Sequence, residues 1–258
     1  MSDDVLVTSV ADGIGRMRLN RADKRNAINE PLTRAILAAM EAFDADDAVR
    51  VIVVEGTDGS FCAGADMGEA LAAAEAGDRW FNPSRDAASR VTSSEKPTIA
   101  AIDGPAYGAG ALLSCGCDLR VVSDRSRFRF PGSEYGLVVG AAALTSLVGL
   151  TLAKELIFTS RPVDADEALR IGLVNRVVPV AEFKDAVTEL ATSVAAASHL
   201  AARWAKQVIN AAATGGDASG IEGQADLILR GGAALHGTIR TRNRLGDRPW
   251  FEQRELAR

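Results

Sequence analysis

The stretch from Lys96 to Leu113 constrains the fold more than any other part of the chain. Thr98 to Ile102 is a short, unalternating apolar run with the length of a buried strand. Gly104-Pro105 breaks it with turn chemistry, and Gly108-Ala109-Gly110 then opens an apolar segment, Ala111 to Cys117, of helical length. A strand, a glycine-bearing turn and a helix start, in that order, leave unpaired main-chain N–H groups where the helix begins. Such a terminus favours negative charge and suits an anion or a developing oxyanion. It is not a dinucleotide fingerprint, because the third glycine of G-x-G-x-x-G is replaced by Leu113.

The flanking sequence reads as α/β. Val5–Val10 and Gly15–Asn20 are strands joined by Asp12-Gly13, a hairpin turn. After the polar, basic loop Arg21–Asn29, Asn29 caps a helix running to about Ala42, with an apolar stripe at Leu32, Ile36, Leu37 and Met40. Val51-Ile52-Val53-Val54 is a strand buried on both faces. Asp66 and Glu69 have the spacing of a capping box, and the Ala-rich segment to Glu95, with Trp80 and Phe81, reads as irregular helices. Leu119–Ser123 and Phe128–Phe130 are strands, Pro131–Gly136 a loop, and Gly136–Ala153 a buried helix or turn. Asp164 caps a helix that stops at Gly172, before a strand at Val174–Val178. From Glu182 onward the pattern is helical. The expected division is therefore a mixed core over residues 1–195 and a helical C-terminal region over 196–258.

Several function classes are disfavoured. A net charge of −5 argues against a nucleic-acid partner. No run is long and uncharged enough to span a membrane. The histidines, His199 and His236, are far apart, and Cys115-Gly116-Cys117 lacks partner ligands, so no metal is expected. Three cysteines and an acidic start suggest free thiols and a cytoplasmic location. Two features keep alternatives open. Phe61 to Met67 is either an ordinary βα loop capped by Asp66 or a small-residue segment that lets main chain approach a ligand. The basic run Arg240 to Arg248 is a solvated face or a phosphate contact.

Taken together, Leu19-Asn20-Arg21 with Arg25–Asn29, Phe61–Met67, Lys96–Gly110 with Cys117–Arg120, and Gly172–Pro179 resemble the signatures of the enoyl-CoA hydratase/isomerase (crotonase) superfamily, in order over about residues 5–180. The resemblance implies a crotonase-like spiral of ββα units with a helical C-terminal trimerisation region, assembled as homotrimers or homohexamers. It implies an acyl-CoA thioester as substrate or ligand and no resident cofactor. The main-chain N–H groups of Ala65 and Ala109 would form an oxyanion hole; Ala63, Ala65, Asp66 and Met67 would line the adenine and pantetheine path; Lys24 and Arg25 would sit near the CoA phosphates.

The same resemblance exposes a departure. Hydratases of the family use two glutamates as general base and acid, and their positions here hold Leu112 and Gly132. A further acidic position of some isomerases falls near Gly140. Groups of that kind each contribute about 10²–10⁴-fold, so ordinary hydration of a 2-enoyl-CoA is expected to be very slow. Glu134 is a substitute acid or base if the chain is extended there, and a surface residue if it turns. Two expectations follow: an enoyl-CoA hydratase/isomerase-like enzyme with a repurposed site, or a non-catalytic acyl-CoA-binding protein of fatty-acid or lipid metabolism.

Overall fold

The structure is a computed structural model that describes residues 4–78 and 83–230. Trp80, Phe81, His236 and the run Arg240 to Arg248 lie outside the described residues. The chain divides into two compact units, the first ending at His199 and the second beginning at Leu200.

The first unit is built on a six-stranded sheet. Its strands are β1 (Leu6–Ala11), β2 (Ile14–Leu19), β3 (Val51–Glu55), β4 (Thr98–Ile102), β6 (Leu119–Ser123) and β9 (Arg176–Val178), in the order β1-β2-β3-β4-β6-β9. Only the β1–β2 hairpin is antiparallel. Asp12 and Gly13 take φ of 52° and 79° at its turn, the positive values a two-residue primed turn demands. The period-two alternation of strands sorts the core. Ile52, Val54, Ala100 and Ile102 face one cluster, together with Leu32, Ile36 and Met40 of α1 (Glu30–Ala45). Val51, Val53, Ile99 and Ala101 face the other, covered by Ala186, Val187 and Ala191 of α8 (Phe183–Ala195). Burial on both faces explains why β3 and β4 read as continuous apolar runs.

A second, three-stranded sheet pairs β5 (Pro105–Tyr107) in parallel with β7 (Arg127–Arg129), and β7 antiparallel with β8 (Val163–Asp164). The expected break after β4 is present, with a bend at Gly104 (φ 85°), but a three-residue strand that was not expected begins at Pro105, before helix α4 (Ala109–Gly116). Three residues are too few to show a period, and proline is tolerated at a strand's first position.

Three other local expectations change. The segment 68–95 contains two regular helices, α2 (Met67–Glu75) and α3 (Ser84–Thr92). Residues 131–135 form a 3₁₀ turn, Pro131–Tyr135, and not an open loop. The apolar stretch 136–153 is mostly at the surface: it forms α5 (Ala141–Val148) and the start of α6 (Leu150–Thr159), broken at Gly149 with φ 80°, and within it Leu144 and Ala153 are the buried apolar side chains. The helix α7 (Ala165–Arg170) starts as expected, with Asp164 accepting from the Glu167 N–H at 2.9 Å. The second unit holds α9 (His199–Thr214) and α10 (Ala218–Arg230). No described helix is long and apolar enough to cross a membrane.

Candidate functional site

After β3 the chain loops through Gly56 to Phe61, and the segment from Phe61 to Asp66 is stitched on both sides. On one side Phe61 N–H and Cys62 N–H donate to the Pro105 carbonyl at 3.1 and 3.0 Å, and Tyr107 N–H donates to the Cys62 carbonyl at 3.0 Å. On the other, Ala63 N–H donates to the Arg25 carbonyl at 3.0 Å, Ile28 N–H to Gly64 at 2.8 Å, and Asp66 N–H to Ile28 at 2.9 Å. Arg25 and Asn26 hold φ of 48° and 59°, and the buried Asn26 amide donates to the Ser60 carbonyl at 2.7 Å, which locks the loop that carries these acceptors.

This stitching decides where Ala65 points. Its neighbours Gly64 and Asp66 spend their polar groups on Ile28, so the Ala65 N–H faces the opposite way. Gly64 has φ 125°, a conformation for which glycine is suited, and a side chain there would start about 4.0 Å from the Ala109 nitrogen. Ala109 is the first residue of α4, where a helix leaves its N–H without an internal partner, and Gly108 before it provides no side-chain cap. Among the described residues neither the Ala65 nor the Ala109 N–H has a hydrogen-bond acceptor. Gly110 allows the approach: a Cβ there would lie 2.6 Å from the Cys62 Cβ.

Both donors line a cavity of about 170 Å³. Ala63, Met67, Pro131, Leu137 and Val139 make much of its wall apolar. Arg129, which faces Tyr107 across the β5–β7 register, is the charged residue of the lining. The Arg129 guanidinium donates to the Ser160 carbonyl at 2.8 Å and to Glu134 at 2.5 Å. Tyr107, Arg129, Leu137 and Val139 escaped the sequence reading, since the strands that present the first two are only three residues long.

The other singled-out residues fall as follows. Asp66 caps α2 through the Gly68 N–H at 3.0 Å and pairs with Arg21 at 2.9 Å. Burial acts to raise its pKa, but the hydrogen bonds from Arg21 and Gly68 and the charges of Arg21 and Lys24 outweigh it, holding the carboxyl below the usual range. The expected capping box is corrected, because Glu69 turns away and accepts from the Glu30 N–H at the start of α1, at 3.1 Å. Lys24 and Arg25 have exposed side chains and are not part of the cavity lining. Glu134 sits on the 3₁₀ turn, paired with Arg129, and is also outside the lining. Burial pushes the Cys62 thiol up to about 12 and that of Cys115 to about 11, so neither is a ready nucleophile. Among the described residues no group of three or more His, Cys, Asp or Glu is placed to hold a metal.

Leu112 is half-buried, with its Cδ1 about 4.0 Å from where a side chain would start on Gly140; Phe130 packs at the same point. Gly132 is buried and lines the cavity. A Cβ on it would meet the Leu137 carbonyl oxygen at 2.8 Å and the Val139 nitrogen at 3.3 Å. The chain folds back there because Leu137 N–H donates to the Gly132 carbonyl at 2.8 Å, with Gly136 at φ 68° making the turn.

Comparison with known proteins bears on the family and the fold. The family model for enoyl-CoA hydratase/isomerase matches residues 9–234. A probable enoyl-CoA hydratase of Rhizobium meliloti is 36% identical over 213 residues, covering 81% of this chain and 82% of that protein. A short-chain-enoyl-CoA hydratase of Clostridium acetobutylicum is 34% identical over 197 residues, 74% of this chain and 76% of its own. The crystal structure of an enoyl-CoA hydratase subunit I from Geobacillus kaustophilus superposes with a TM-score of 0.85 at 30% identity, covering 95% of this chain and 97% of the other.

Proposed function

The chain belongs to the enoyl-CoA hydratase/isomerase family, and from that premise we propose that it binds an acyl-CoA thioester with the thioester oxygen between the Ala65 and Ala109 N–H groups. The observation that carries this reading is the pair of acceptor-free donors on one cavity wall. Preorganised donors of this kind stabilise negative charge as it develops on a carbonyl oxygen, here the oxygen of an enolate formed next to the thioester. They need no reorganisation at the moment of reaction, because both nitrogens are fixed by main-chain pairing.

The proton-transfer half of a hydratase is what this chain lacks under the same reading. Leu112 and Gly132 stand at the two glutamate positions, and among the described residues no carboxylate lines the cavity. A 2-enoyl-CoA is then held and polarised but not efficiently hydrated. A second reading, a non-catalytic acyl-CoA-binding protein, draws on one observation: main chain of residues 137–139 fills the space a side chain at 132 would use. Assembly as homotrimers or homohexamers belongs to the proposal, and light scattering tests it.

The decisive experiment incubates the pure protein with crotonyl-CoA and with longer 2-enoyl- and 3-enoyl-CoAs, following the conjugated thioester absorbance, alongside calorimetric titration of the same ligands. Binding with little or no turnover is expected. Robust hydration overturns the reading of Leu112 and Gly132, and absence of binding by every thioester overturns the assignment of the ligand.

A further inference from the structure

Among the described residues, Arg129 is the one charged side chain in a cavity wall that is otherwise uncharged. Residues paired in register share a sheet face, and Ala106 and Phe128 are buried in the core. Tyr107 and Arg129 therefore stand together on the opposite face, where both line the cavity. The oxyanion reading leaves this charge unexplained, because the thioester oxygen is served by the Ala65 and Ala109 N–H groups. A guanidinium set among apolar side chains is costly unless its donors are met.

Part of the guanidinium is anchored. Its Nε donates to the Ser160 carbonyl at 2.8 Å and its Nη2 to Glu134 at 2.5 Å. Ser160 is buried with φ 51° at the end of α6, so this acceptor is fixed. Two of five N–H donors are thereby used. The Nη1 group donates to no acceptor among the described residues, and the side chain is 37% exposed, within reach of a ligand. Glu134 balances the charge, so any attraction rests on directed donors more than on net charge. One guanidinium holding two carboxylates is a geometry this chain already uses, since Arg161 pairs with Glu155 at 2.7 Å and with Glu167 at 2.8 Å.

We infer that Arg129 selects the acyl group: its Nη1 edge takes the far carboxylate of a dicarboxylic acid monothioester while the thioester oxygen lies on Ala65 and Ala109. This rests on the acyl-CoA reading above. An apolar cavity of about 150 Å³ holds one benzene, so about 170 Å³ sets the acyl group at roughly three to five carbons. A plain aliphatic acyl group of that length leaves the Nη1 donors unmet, whereas a carboxylate meets them. A hydrogen bond between charged groups corresponds to about tenfold or more in affinity.

The test is calorimetric titration with pairs of equal carbon number: malonyl-CoA against propionyl-CoA, and glutaryl-CoA against pentanoyl-CoA. In at least one pair the carboxylated member is expected to bind about tenfold or more tightly; equal or tighter binding of the aliphatic member in both pairs overturns the inference. Arg129→Gln is expected to erase the preference, and Arg129→Lys to keep part of it, because a lysine holds the charge without the fork. A preference that survives Arg129→Gln overturns the inference, as does equal weakening of both members, which would put Arg129 against the CoA moiety. If Arg129→Gln does not fold, Glu134→Gln decides. It removes the competing carboxylate, and the preference is expected to widen by about two- to fivefold; an unchanged or narrower preference overturns the inference. Failure of every thioester to bind, the aliphatic ones included, removes the acyl-CoA reading itself, whereas binding without a carboxylate preference removes only the role of Arg129.

Discussion

The wall that carries Ala65 and Ala109 and the region around Leu112, Gly132 and Gly140 are built from different material. The first uses main-chain N–H groups, which every residue except proline supplies, and whose direction is set by pairing with Ile28 and by the start of α4. Side-chain substitutions leave such donors in place. The second depends on what side chains the sequence supplies, and here it supplies a leucine and two glycines. On the reading proposed above, the donor half of the site does not depend on side-chain identity, whereas a proton-transfer half does. At Gly132 the Leu137 carbonyl and the Val139 nitrogen lie where a side chain would begin, so a larger residue there requires that backbone to shift.

The largest break in this contrast is expected from Ala109→Pro. Proline is tolerated at the first position of a helix but has no N–H to donate. Removing one oxyanion donor costs about 10²–10³ in rate where turnover occurs, and a corresponding weakening is expected in thioester affinity if the protein only binds. Calorimetry and turnover assays read the loss, and a thermal melt within a few degrees of the parent shows that α4 is intact. Unchanged binding and turnover in the folded variant would falsify Ala109 as a donor.

Gly132→Ala and Gly132→Glu come next. The clash with the Leu137 oxygen begins at Cβ, so both are expected to lose stability by about 1–3 kcal/mol. Neither should gain crotonyl-CoA hydration, even combined with Leu112→Glu. Urea denaturation and the absorbance assay check this together; hydration restored by the double glutamate variant would show that the 137–139 backbone yields easily.

Asp66→Ala tests the support of the donor wall. It removes the cap on α2 and the partner of Arg21, at a cost of about 1–2 kcal/mol near pH 7. Because the folded pKa of Asp66 lies below its unfolded value, this contribution is complete above the unfolded value of about 3.9 and is lost as pH falls through the folded one. The parent and the variant should therefore converge in stability on acidification below pH 4, and a gap that persists at low pH would point to the packing of α2.

The smallest effect concerns Cys62, behind the donor wall. A buried thiol with a pKa near 12 should resist iodoacetamide at pH 8 in the folded protein and react after unfolding. Labelling in the native state, read by mass spectrometry, would mean that this wall opens.

Much of the fold was legible because it follows from local chemistry. The apolar runs at Val51 and Thr98 became central strands, Asp12-Gly13 became the hairpin turn, and Asn29 and Asp164 became caps. Misreadings fell where a short element depends on a distant partner. β5, which the sequence reading missed, exists because it pairs with β7 on one side and with the segment at Cys62 on the other. Glu69 has the spacing of a local cap, yet a helix start from another part of the chain competes for its carboxylate. The surface position of much of the stretch from Gly136 to Ala153 was hidden for a related reason: apolar composition alone does not distinguish a core helix from a surface one.

For the site, the sequence by itself determined that small residues and a helix start stand at Ala65 and Ala109, and that no carboxylate occupies positions 112 and 132. Only the tertiary structure decided that the two N–H groups line one cavity with no acceptor among the described residues, that Glu134 is spent on Arg129, and that Gly132 is closed over by the Leu137 carbonyl. The physical reason is that residue identity fixes which groups a chain can offer, whereas the direction and the freedom of a donor depend on what every other polar group has already been paired with.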